Sequence, residues 1–294
     1  MMKFWLGSCL ILMMFINTFA QELDLTLAHK VTRVPGDHMQ GSWSPDGQMI
    51  AFQTNRNGSW DIYCYSLPED SVFPLIVSSS NVRHPEWFPD GKRLVFDSDT
   101  LGIDYLFVYD LESKEVKPLF KRKIRCKEAR FPPSPRQVYF TGFDKITQDW
   151  QIYSYDFVYD NLNQLTRFTE NCSDPQVAPD GKHVVYFKSP TVFEGSSMPI
   201  INWYGEEVSV LDSLQAYDPC WDPAGLKVYF VSDRDEKKGE LYSIWKNGTH
   251  LERLTFDTLE IKQPSVSPDG RYMVVSLADS TSSQLVLISL DALY

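Results

Sequence analysis

Residues 41–52 read GSWSPDGQMIAF and residues 85–96 read PEWFPDGKRLVF, one sentence written twice at an interval of 44 residues. A fixed period in this range confines a chain to a repeat architecture, because each copy must stack on its neighbours to bury its apolar faces. Counted from the proline of each PDG, the period continues through Pro45, Pro89, Pro133, Pro179, Pro223 and Pro268, with spacings of 44, 44, 46, 44 and 45. Two positions upstream stand Trp43, Trp87, Phe131, Val177, Trp221 and Val266; seven downstream stand Phe52, Phe96, Phe140, Tyr186, Phe230 and Val275. Large apolar residues hold both slots in six consecutive units, so the chain is six copies of one element.

Each unit carries strand chemistry. MIAF, RLVF, QVYF, HVVYF, KVYF and YMVV are short β-branched or aromatic runs bounded by turn residues. Pro-Asp-Gly suits a tight hairpin before them: proline presets φ, aspartate follows, and glycine takes positive φ. Pro133-Ser134-Pro135 lacks the glycine and Pro223-Ala224-Gly225 lacks the aspartate, which predicts another loop geometry in those two units. Further strands follow, as in DIYCYSL at 61–67 and QIYSYDF at 151–157. Four short strands in roughly 45 residues is the size of a propeller blade. The predicted fold is an all-β, six-bladed β-propeller with blades at about 38–80, 81–123, 124–169, 170–213, 214–258 and 259–294.

The sixth unit ends before a fourth strand. KVT at 30–32 lies as far before Pro45 as RLT at 253–255 lies before Pro268, and Leu75, Leu119 and Leu165 keep the same distance in their own units. Residues 24–34 are therefore expected to supply the outer strand of blade six and close the ring, removing exposed sheet edges. The run SWSPDGQMIAFQTNRNG…DIY resembles the propeller repeats of the TolB family, through all six units. That resemblance implies the fold and an exported protein. TolB itself carries a separate α/β domain before its propeller, whereas about 15 residues precede the first unit here, so a Tol-system role does not follow. Related propellers also cap serine peptidases, but no G-x-S-x-G elbow follows the repeats.

MMKFWLGSCLILMMFINTFA has one lysine, an apolar run from Phe4 to Ile16 and small residues at Thr18 and Ala20, the pattern of a secretory signal peptide over 1–20. The apolar run is short of the ~20 residues of a membrane span, so no stable span is expected after cleavage. Cys9 stands too early in that run for lipidation. Loss of Lys3 takes the net charge from −11 to −12, which argues against nucleic acid, whose phosphates an acidic domain repels. A periplasmic or secreted location is expected. Cys64, Cys126, Cys172 and Cys220 remain. Cys126 and Cys172 hold one slot in adjacent units, yet neighbouring blades diverge, and free buried thiols are the expectation.

Strand alternation aims residues three and five before each proline at the central channel. The five-before set is Gln40, His84, Glu128, Asp174, Asp218 and Gln263; the three-before set is Ser42, Glu86, Arg130, Gln176, Cys220 and Ser265. Two readings stay open. Wet channels have polar linings, which alone could produce these rings. Alternatively the acidic arc Glu128, Asp174 and Asp218, with His84 and Glu86 adjoining, contacts a ligand: a cationic side chain of a partner, or Ca²⁺ through oxygen ligands. The candidate ligand-binding residues are His84, Glu86, Glu128, Arg130, Asp174, Asp218, Gln40 and Gln263. No cofactor is required beyond that possible calcium, and histidines are too few for a metal enzyme. KRKIRCKEAR at 121–130, with six basic residues, is expected at the channel mouth; DSDTLGID at 97–104 mimics a calcium loop but aligns with a strand-connecting turn. The favoured function is a non-catalytic exported propeller binding a protein or peptide of the cell envelope at its channel face. The alternative is a small glycan-active or hydrolytic enzyme using channel carboxylates such as Asp174 and Asp218 as acid and base.

Overall fold

The computed structural model of the chain describes residues 28–189, 195–212, 214–235, 238–256 and 259–290. These form six four-stranded antiparallel sheets and no helix, a six-bladed β-propeller. The inner strands are His38–Trp43, Val82–Trp87, Cys126–Arg130, Cys172–Val177, Ala216–Trp221 and Glu260–Val266. Within blades one to five the chain runs outward strand by strand. The candidate signal peptide and the start of the 24–34 segment lie outside the described residues.

The ring closes at residues 29–32. His29–Lys30 pairs antiparallel with Ser283–Ser289 of blade six, His29 opposite Leu287 and Lys30 opposite Val286. Val31, 5% exposed, then enters the core layer between blades six and one, with Trp43, Ile50, Phe52, Leu285 and Leu287. Thr32 accepts the amide of Leu285 (2.9 Å) and donates to Gln284 Oε1 (2.9 Å). Thr166 does the same in blade three, toward Ile152 N and Gln151 Oε1, and Thr255 in blade five, toward Leu241 N and Glu240 Oε2. The N-terminal strand is thus the same part as the outer strands of other blades, displaced in sequence only.

The core is a set of layers between blades. The five aromatics and Val275 that stand seven after the prolines are at most 2% exposed, and three of the aromatics stack on the cross-strand partner: Phe96 on Phe107, Phe140 on Tyr153 and Phe230 on Tyr242, with centroids 5.7–5.9 Å apart. The tryptophans two before the proline pack across the seam. Trp43, Trp87 and Trp221 each donate their indole N–H to a carbonyl of the preceding blade, those of Ser265, Ser42 and Gln176, at 3.0–3.2 Å.

The hairpin turns explain the repeated motif. Gly47, Gly91, Gly181, Gly225 and Gly270 each donate to the carbonyl three residues back, at 2.8–3.0 Å, and take φ of 66–75°. Each also lies against a turn proline of the preceding blade: a Cβ on Gly270 would meet Pro223 at 3.3 Å. The fifth unit keeps this geometry despite its missing aspartate, contrary to expectation. Asp222, one before its proline, accepts the amides of Leu226 and Lys227 at 2.7 Å and replaces the lost carboxylate. In the third unit Pro135 stands at the glycine position without an N–H, so that turn bond cannot form.

Cys64, Cys126, Cys172 and Cys220 are buried and free, and burial pushes the Cys64 and Cys172 thiols up to about 12. Asn57-Gly58 and Asn247-Gly248 are turns, with Gly58 donating to the Asn55 carbonyl and Gly248 to that of Trp245.

If residues 29–32 are an integral part of blade six, Thr32→Val should cost as much as Thr166→Val in blade three, because both strand a buried amide. Urea unfolding should show a loss of about 1–3 kcal/mol for each. A silent Thr32→Val beside a damaging Thr166→Val would mean that the closing strand does not carry load.

Candidate functional site

The channel wall starts from a backbone irregularity. In every inner strand the ladder slips between the residues six and three before the proline, as from Met39–Gln53 to Ser42–Ala51, so one extra residue bulges out. The residue five before the proline takes left-handed φ in all six blades: Gln40 57°, His84 49°, Glu128 56°, Asp174 49°, Asp218 50° and Gln263 51°. A β-branched residue there would be strongly strained, whereas short polar side chains tolerate the conformation better. The next position is Gly41, Ala129 or a proline, which suits a place where the ladder is skipped; a Cβ on Gly41 would come within 2.8 Å of Val274.

The bulge amides turn toward the preceding blade and find side-chain acceptors there. Gln40 N donates to Gln263 Oε1 (3.1 Å), Asp174 N to Glu128 Oε2 (2.9 Å) and Gln263 N to Asp218 Oδ2 (2.9 Å). His84 N donates to Gln53 Oε1 (2.9 Å), and Glu128 N to Asp97 Oδ1 (3.3 Å). Simple alternation is therefore the wrong picture of the wall. The bulge puts residues three and six before the proline on one face and turns the five-before residue into an inter-blade latch.

A cavity of about 400 Å³ opens at the hairpin-turn end of the channel. Six of the eight predicted residues line it: Gln40, Glu86, Arg130, Asp174, Asp218 and Gln263. His84 and Glu128 do not. His84 Nδ1 pairs with Asp97 Oδ1 at 2.7 Å, which raises the imidazole pKa against the effect of burial. Glu128 is 8% exposed and fully occupied by Lys127 Nζ (2.8 Å), Thr141 Oγ1 (2.7 Å) and the Asp174 amide. Burial opposes its charge, but Lys127 and His84 outweigh that and hold its pKa at about 2.

Inside the cavity Arg130 reaches Asp174 Oδ1 (3.3 Å), Gln176 Oε1 (3.3 Å) and the Ala129 carbonyl (2.9 Å). Burial raises the pKa values of Glu86 and Asp174 even beside this guanidinium. Asp218 is pushed furthest, to about 7, by burial and then by the negative charges of Asp174 and Glu128. Cys220 and the indoles of Trp43 and Trp221, one residue on in their strands, were not among the candidates. The three-before slot already pointed to Cys220, and the repeat slot to the tryptophans.

The basic run 121–130 is dispersed rather than gathered at the mouth. Arg122 bonds Asp160 in the outer hairpin of blade three, Arg125 stacks over Phe143 and Trp150, and only Arg130 enters the cavity. In the segment 97–104, Asp97 and Ser98 end the strand Arg93–Ser98 and the rest is a connecting turn, with Gly102 donating to Asp99 and Asp97 taken by His84. Among the described residues no group of three or more His, Cys, Asp or Glu side chains is arranged to hold a metal ion.

Residues 16–213 match the model of the TolB beta propeller domain. The chain belongs to that family. The chain is 31% identical over 127 residues to a TolB homolog of Chlorobium chlorochromatii, covering 42% of this chain and 27% of that protein. It is 30% identical over 112 residues to an uncharacterized peptidase, YuxL, of Bacillus subtilis, covering 36% of this chain and 17% of that protein. Each match therefore spans less than a third of the relative. Among solved structures, TolB from Acinetobacter baumannii superposes with a TM-score of 0.63 at 21% identity, over 88% of this chain and 56% of that one. At that identity the likeness shows the fold alone.

The titration of Asp218 has a definite sign. Its carboxyl has a pKa of about 4 in the unfolded chain and about 7 in the folded one. The folded state holds this proton more tightly, so its contribution is fully present below pH ~4 and is lost as pH rises through ~7. Asp218→Asn should flatten the stability profile between those limits and raise the melting temperature at pH 8. Calorimetry across pH 4–8 checks this; an unchanged slope would show that Asp218 is not held protonated.

Proposed function

We propose that this propeller is an exported, non-catalytic binding protein that receives a protein or peptide partner of the cell envelope at the hairpin-turn end of its channel. The observation that carries this reading is the cavity, which is polar and charged inside and opens through a collar of turn prolines and tryptophans. Export rests on the signal-like residues 1–20 and on the family. Among the described residues no helix is long and apolar enough to cross a membrane.

One observation favours a second reading. Asp218, near 7, can give or take a proton at neutral pH, and it lies in the same cavity as Asp174 and Arg130. Acid–base hydrolysis, with glycans as the first substrates to screen, would use this pair.

Photo-crosslinking separates the two ends of the channel. Asp46 and Lys182 are exposed on turns at the cavity end, and Thr100 and Lys145 on loops at the other. A photoreactive residue at either of the first two positions should capture one envelope protein, and at the latter two it should not. Equal capture from both ends, or none, contradicts the reading; turnover of glycan substrates abolished by Asp218→Asn would favour the hydrolytic one. Recovery of the protein from the envelope with Gln21 as its first residue tests export.

A further inference from the structure

We propose that the cavity takes an ammonium or guanidinium group on an aliphatic stem, held between Glu86 on one wall and Asp218 on the wall opposite. The proposal rests on the channel-end reading above and names the chemistry that end would recognise.

Three observations carry it. The first is charge balance. Glu86, Asp174, Asp218 and Asp222 line the cavity against the single cation Arg130. Arg130 hydrogen-bonds Asp174, Gln176 and the Ala129 carbonyl and also favours the charged form of Glu86, but its one positive charge cannot balance four carboxylates. An anionic ligand would meet this surplus at close range.

The second is an unfilled hydrogen-bonding capacity, placed symmetrically. Glu86 comes from blade two and Asp218 from blade five, which face each other across a six-bladed ring. Glu86 Oε2 accepts the Ser42 hydroxyl (2.9 Å) and Asp218 Oδ2 accepts the Gln263 amide (2.9 Å). Their second oxygens make no hydrogen bond within the described chain. An ionised carboxylate accepts at both oxygens, so each wall offers one open acceptor inside the cavity. Burial raises both pKa values. A cation there would restore the charged forms.

The third is the collar. Trp43, Phe131 and Trp221 line the outer part of the cavity with Pro179, Pro223 and Pro268. Rings and prolines pack against methylenes, and an indole or phenyl face attracts a passing cation. A long amphipathic side chain fits both halves, its stem against the collar and its head against the carboxylates. A lysine or arginine side chain of a partner and a free polyamine share this chemistry.

Isothermal titration distinguishes the sources and tests the idea. The probes are N-acetyl-lysine methylamide, N-acetyl-arginine methylamide and spermidine, with N-acetyl-norleucine methylamide as the uncharged match. Binding of at least one cationic probe, with the norleucine probe at least tenfold weaker, supports the proposal. Preference for the amino-acid amides assigns a partner side chain, and preference for spermidine a free polyamine. Glu86→Gln and Asp218→Asn, singly and together, should weaken the cation at least tenfold while circular dichroism and melting remain those of a folded propeller. Equal binding of the norleucine probe, no binding of any cationic probe, or full affinity in the folded double variant overturns it. Crosslinking from Asp46 keeps the two readings apart: capture that persists without cation binding leaves the channel-end function standing and removes the cation, whereas joint loss in the double variant supports both.

Discussion

Everything in this molecule depends on how one blade grips the next at the axis, where the chain is narrowest and six inner strands converge. The grip is a hydrogen bond from the bulged amide of one blade to a side-chain oxygen of the blade before it, seen at five of the six seams. Freeing that amide requires a left-handed residue, which costs about 1 kcal/mol or more for a side chain larger than glycine. The latch offsets this by satisfying an amide that would otherwise stand unpaired near the core. Further out, the tryptophan indoles and the glycine-on-proline contacts of the turns repeat the same connection at larger radius. Closure then follows from repetition: the strand at 29–30 and the Thr32 side chain give blade six the outer edge that the other blades have by direct succession.

This arrangement divides the channel residues by what they are free to do. Glu128 and His84 spend their polar atoms on Lys127, Thr141, the next latch and Asp97, and are withdrawn from the cavity. Glu86 and Asp218 each retain an open oxygen, and Arg130 stands between them around the ring, bonded to Asp174, Gln176 and the Ala129 carbonyl. Open hydrogen-bonding capacity therefore gathers at the hairpin-turn end, although the polar ring runs right around the axis.

The fold was legible in the sequence because its signal is redundant. Six prolines at spacings of 44–46, six apolar residues on each side of them and a displaced KVT all require the same ring. The site was legible in part. Counting back from the prolines found Gln40, Glu86, Arg130, Asp174, Asp218 and Gln263 at the cavity, because position in a repeat fixes radius. It also drew in His84 and Glu128, because alternation assumes an unbroken ladder and the bulge lies two residues from where the count began. The clue to the bulge was present four before the turn proline, where five of the six units have proline or glycine, residues that a paired inner strand rarely holds. Which carboxylates are spent and which are open is decided by contacts between blades, and those have no sequence period. The fifth turn makes the same point: Asp222 takes over from a missing aspartate at a different position, so geometry survived a broken motif.

The most direct test of the latch is the unfolding free energy of Gln263→Leu, measured in urea. Leucine keeps the size of the side chain and carries no β-branch, so the left-handed strain at 263 changes little, but the acceptor for the Gln40 amide is lost. A structural latch predicts a loss of about 1–3 kcal/mol with an unchanged slope against urea. If the polar ring is only a lining for water, the amide will be solvated instead, and a stability equal to that of the unaltered chain would contradict the account.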